Sequence, residues 1–80
     1  MQIIIHVENS VNGNKGEREV EVSTTAGMLI EKLREELEGE YQGALYFLID
    51  VGVEPHRQMR EDEHLTQGGH YKLVISGLAA

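Results

Sequence analysis

Met1-Gln2-Ile3-Ile4-Ile5-His6-Val7-Glu8 opens the chain, and its side chains alternate in character. Met1, Ile3, Ile5 and Val7 fall on one side of an extended backbone; Gln2, Ile4, His6 and Glu8 fall on the other. A period of two, carried by β-branched residues, predicts a strand with one buried face. The same alternation returns near the other end: in residues 70–76, Tyr71, Leu73 and Ile75 share one face, and His70, Lys72 and Val74 share the opposite one. Two half-buried strands so far apart in sequence need one sheet and one common cover.

The segments between them supply both. Residues 9–16, Asn-Ser-Val-Asn-Gly-Asn-Lys-Gly, are rich in residues that tolerate positive φ, so the chain turns there. Residues 17–23 alternate again, with Val20 and Val22 inward and Glu17, Glu19 and Glu21 outward. Arg18 shares the inward face and is expected at the rim, its stem packed and its head in water. The two runs form a hairpin. Thr24 or Thr25 then caps a helix. Ala26, Leu29, Ile30, Leu33 and Leu37 recur at steps of three and four, lining one apolar stripe. Charged residues cover the remainder, Gly27 weakens the first turn, and Gly39 is a natural stop. After Gly43, residues 44–49 are apolar throughout, a strand buried on both faces or buried on one and sticky on the other. Residues 52–69 are polar and irregular, with room for a short strand near residues 57–60 and a turn through Glu61-Asp62-Glu63.

A single helix shields one face of one sheet, which implies an α+β domain with the helix lying across a mixed sheet of four to five strands. If the last strand lies beside the first it does so in parallel, because the helix-containing crossover permits that direction. Eighty residues suffice for one such domain and not for two.

Composition narrows the function classes. The formal charge is −7, from 14 acidic and seven basic residues, and no basic stripe interrupts it, so nucleic acid is not an expected partner. The longest wholly apolar run, residues 44–49, is too short to span a membrane. Met1-Gln2 leads straight into the first strand without the basic and hydrophobic segments of a secretory signal. The absence of cysteine removes disulfides, thiolate metal sites and a cysteine nucleophile, and fits a reducing, cytoplasmic setting. His6, His56, His64 and His70 have neither the i, i+4 spacing of a helical zinc site nor a Ser or Asp placed for a triad. They read as surface histidines, with His6 and His70 neighbours on the outer face if their strands pair. Gly68-Gly69 lacks the Lys and Ser/Thr of a phosphate loop. Neither a catalytic residue, a metal nor a cofactor is expected, and the protein is expected not to be an enzyme.

The order hairpin, helix, strand, irregular segment, final strand resembles the ubiquitin family. Met1-Gln2-Ile3 followed by alternating apolar residues is similar to the opening of ubiquitin. Tyr71-Lys72-Leu73-Val74-Ile75, after the turn Leu65-Thr66-Gln67-Gly68, is similar to its last strand. The resemblance covers almost the whole chain and implies a β-grasp fold over residues 1–77, with residues 78–80 as a flexible tail. It also implies a protein modifier, activated and conjugated through its C-terminus, with activating and conjugating enzymes, a processing peptidase and target proteins as partners. Bacterial conjugation systems, which encode such proteins beside these enzymes, would fit the divergence.

Family modifiers and sulfur carriers end in Gly-Gly, whereas this sequence reads Ser76-Gly77-Leu78-Ala79-Ala80. A glycine end lets an extended tail thread an adenylating enzyme and leaves the carbonyl open to attack. Gly77 would serve if Leu78-Ala79-Ala80 were removed; otherwise it merely ends the strand. The alternatives are a β-grasp binding module that is never conjugated, or a small subunit of a larger assembly; the missing Gly-Gly argues against a sulfur carrier. The exposed sheet face is a common docking surface in the family, which here implies Ile4, Leu48 and Val74, with Phe47 replacing Leu48 if the third strand shifts by one residue.

Overall fold

The computed structural model describes residues 1–37 and 44–76. Strand β1 (Gln2–Asn9) is followed by β2 (Lys15–Glu21), helix α1 (Ala26–Glu35), β3 (Leu45–Asp50), the short β4 (Arg57–Gln58) and β5 (His70–Ser76). The sheet order is β2-β1-β5-β3-β4. β1 and β2 pair antiparallel, from Gln2 opposite Glu21 to Glu8 opposite Lys15. β5 enters between the two halves, parallel to β1 and antiparallel to β3. This is the mixed sheet and single helix that the alternations imply.

One face of the sheet is covered. Ile3, Ile5 and Val7 of β1, Leu48 of β3, and Tyr71 and Leu73 of β5 form the core with Ala26, Leu29, Ile30 and Leu33 of α1. Met59 and Leu65, from the irregular segment, close the core at one side. Ile5, Leu29, Leu33, Leu48 and Leu73 are the largest side chains wholly removed from water. Leu37 lies beyond the helix end and is half-buried, and the glycine stop expected at Gly39 lies outside the described residues. Val22 follows β2 and is 46% exposed, not inward: its amide bonds Met1 O, and the strand has already ended at Glu21.

Two segments that look irregular in sequence carry specific loads. Thr25 caps α1, its Oγ1 accepting from Met28 N at 3.3 Å. The next two helix donors are satisfied from outside: Ala26 N donates to Glu63 O at 2.8 Å and Gly27 N to Glu61 O at 2.9 Å. The close approach of this turn accounts for Gly27, since a Cβ there would sit 3.2 Å from Glu61 O. Farther on, Tyr71 Oη accepts from Thr66 N at 3.0 Å and tucks beneath Gly69, where any Cβ would overlap it. That contact pins the 65–69 turn to the start of β5.

Two paired ions fasten the periphery. Arg18, at the rim as expected, grips Glu36 through two bonds of 2.7 Å, tying β2 to the end of α1. Arg57 grips Glu63 through two bonds of 2.8 Å, tying β4 to the turn that supports the helix start. The Arg57 guanidinium, aided by Arg60 N–H at 2.9 Å, holds the Glu63 carboxyl down to about 2.

Leu33→Ala is expected to destabilise the domain by about 2–5 kcal/mol in urea unfolding, because it leaves a cavity beneath the sheet. Ile4→Ala, on the opposite face, should cost far less in the same assay. The Glu63 pair makes its own prediction. A carboxylate whose folded pKa is depressed adds stability above its unfolded pKa and loses it as pH falls toward the folded value. NMR titration should find the Glu63 midpoint near 2, and Arg57→Gln should return it toward the ordinary carboxylate range while flattening the acid limb of stability between about pH 5 and 2.

Candidate protein-binding surface

The face of the sheet opposite α1 has no covering element among the described residues. On this outer face the pleat brings up Ile4, His6 and Glu8 from β1, Lys72 and Val74 from β5, and Leu45, Phe47 and Ile49 from β3.

The three aliphatics expected to form a patch are not together. Ile4 is on the outer face and 41% exposed, beside the 67–68 turn, with its N–H bonded to Gln67 Oε1 and its C=O accepting from Gly68 N. Val74 is also outward and partly exposed, but it lies six residues farther along the parallel β1–β5 register than Gly68, about 20 Å away at strand rise. Leu48 is a correction: it is fully buried on the helix-covered face, directly opposite Leu73. With a side-chain period of two, the Leu48↔Leu73 register sends Phe47 to the outer face and leaves no choice for the rest of β3.

A different patch results. Phe47 is directly opposite Val74, Leu45 is opposite Ser76, and Ile49 is opposite Lys72. Leu45 is 60% exposed, a large cost to leave unused on a small domain. The patch therefore occupies the β5–β3 half of the outer face and reaches the last residue of β5. Its border is charged: Lys72 Nζ approaches Glu8 Oε2 at 4.0 Å, and Glu17 and Glu19 stand exposed on β2 beyond. The sequence leaves Leu48 and Phe47 as alternatives because residues 44–49 are apolar on both parities. Counting back from the buried Leu73 is what separates them.

Gly77, the expected conjugation point, and residues 78–80 lie outside the described residues. What is described is the exit: β5 delivers Ser76 to a place beside Leu45 on the exposed face. Among the described residues no helix is long and apolar enough to cross a membrane.

No family model and no curated relative matches the sequence. Among solved structures the chain is similar to a de novo designed protein based on ubiquitin, with a TM-score of 0.58 and 18% identity over 92% of this chain and 88% of the other. At that identity the likeness speaks for the fold alone, and with the single helix on a mixed five-stranded sheet it establishes a ubiquitin-like β-grasp fold.

Proposed function

We propose that this domain is a ubiquitin-like protein modifier: it catalyses no reaction itself, is recognised through the outer face of its sheet, and is joined to target proteins through Gly77 after trimming. The observation that carries this is the β3–β5 register, with exposed Leu45 and half-buried Phe47 and Val74 on the uncovered face near Ser76. A partner seated on those side chains is beside Ser76, the residue before Gly77, which is what an activating or conjugating enzyme requires. Val74 keeps its expected role, Phe47 takes that of Leu48, and Ile4 serves as a separate contact at the far end of the face. A processing peptidase would remove Leu78-Ala79-Ala80, and activating and conjugating enzymes would act on the new carboxylate. A bacterial conjugation system in the cytoplasm is the proposed setting. The charge of −7 supports protein partners over nucleic acid.

A second reading is favoured by the patch itself. Exposed Leu45 and half-buried Phe47 on the uncovered face suffice for docking without any free glycine carboxylate, so a β-grasp module that only binds is the competing role.

Intact-mass measurement of the purified chain after incubation in extract of its source cells separates the two. The modifier role predicts loss of Leu78-Ala79-Ala80, followed by ATP-dependent adducts at higher mass; a full-length chain on every molecule contradicts it. Phe47→Ala and Val74→Ala should reduce adduct formation severalfold while shifting the urea midpoint far less than Leu33→Ala does. Adduct formation unchanged in both variants would move recognition elsewhere.

A further inference from the structure

β4 covers little of the free edge of β3. It pairs only with Ile49 and Asp50, and Met59 N adds one further bond, to Leu48 O at 2.8 Å. Backbone groups two residues apart on a strand point the same way, so Tyr46 N–H and C=O face this edge as Leu48 O does. Neither has a backbone partner there among the described residues. After Met59 the chain swings away to the helix start, where Glu61 O accepts from Gly27 N at 2.9 Å.

That divergence leaves a cleft of about 360 Å³ between β3 and the 58–61 segment. Its apolar lining includes Ile30 of α1, Leu45 and Tyr46 of β3, and Met59, with Arg60 and Glu61 also bordering it. Ile30 and Met59 are buried, whereas Leu45 is 60% exposed. The Arg34 guanidinium lies over the Tyr46 ring, 4.9 Å from its centroid, and fixes that wall. The charges around the cleft do not cancel. Arg34 is engaged by Glu31 at 3.0 Å and Arg60 by Asp62 at 3.4 Å, while Glu61 has no ion-pair partner among the described residues.

An unpaired strand edge recognises another strand: main-chain bonds hold it, and a pocket beside the edge selects alternate side chains. Here the pocket is apolar and the unmatched charge is negative. A second copy is a poor occupant, since each chain carries −7 and would bring more acid to Glu61. An extended segment with an aliphatic residue, and a Lys or Arg two positions away on the same face, matches both the pocket and the charge.

We propose that this cleft receives an extended segment of a partner protein as a short added strand beside Tyr46, with an aliphatic side chain on Ile30 and Met59 and a basic one over Glu61. The cleft shares Leu45 and Phe47 with the outer-face patch but uses neither Val74 nor Gly77, so it is independent of conjugation.

NMR titration of the full chain with the acetylated, amidated peptide Lys-Thr-Leu-Thr-Lys tests it, with Glu-Thr-Leu-Thr-Glu as the control. In either strand direction this pattern puts the leucine and both charges on one face. The lysine peptide should saturably shift the Tyr46 amide and the Ile30 and Leu45 methyl resonances, and should slow exchange of the Tyr46 amide. The glutamate peptide should bind at least about tenfold more weakly. Glu61→Gln should weaken the lysine peptide by about threefold, and Val74→Ala should leave its affinity unchanged. No saturable shift, or equal affinity for the two peptides, would overturn the cleft. Shifts centred on Val74 and Ile4 would overturn it too, while leaving the outer-face patch standing. A dimer in sedimentation that protects the Tyr46 amide without peptide would assign the edge to a second copy instead.

Discussion

The parallel pairing of β1 with β5 is the constraint on which the remaining structure depends. It joins the two ends of the described chain: His6 N donates to Gly69 O at 2.8 Å, Gly68 N to Ile4 O at 2.8 Å and Ser10 N to Leu73 O at 3.1 Å. Without it the sheet divides into a β1–β2 hairpin, marginal alone in water, and a β5–β3 pair edged only by the two-residue β4. The helix gains its burial only when both halves lie beneath it, because Leu29 and Leu33 share one core with Ile5 on one side and Leu48 and Leu73 on the other. Closing contacts 63 residues apart is entropically costly. The β-branched residues of β1, alternating inward, are what offset that cost.

Elements with a strong period were legible in the sequence, and so was the parallel union of the first and last strands. The cap at Thr25, the rim position of Arg18 and the short strand beginning at Arg57 follow from local chemistry, and the structure has them. Local chemistry failed where two parities were equally apolar. Residues 44–49 gave no sign of which side faces the helix, and Leu48 and Phe47 were exchanged as a result. It failed again where a distant segment decides. Nothing near Gly27 announces the Glu61–Glu63 turn that supplies the helix start, and nothing near Gly69 announces the Tyr71 hydroxyl beneath it. Val22 continues the alternation of β2 in sequence, yet the strand has already ended.

The outer-face features are products of the same pairing. Because β5 runs parallel to β1 and antiparallel to β3, it brings Val74 to Phe47 and Ser76 to Leu45, so an uncovered apolar patch lies at the last described residues of the strand, next to Ser76. The same register stacks His70 on His6 and completes a row with Glu17. Ile4, six residues back from that end of the seam, belongs to neither group. The outer face thus has an apolar end and a polar middle, and the helix face has the core.

Native-state hydrogen exchange tests this dependence most directly, because it ranks the opening free energy of each pairing separately. The amides of His6, Gly68 and Ser10 should exchange only through global unfolding, while that of Met59, bonded to Leu48 O at the short β4 edge, should open earlier by a local route. If the seam amides exchange as fast as Met59, or open while the β1–β2 ladder stays protected, the β1–β5 pairing is not what holds the domain together.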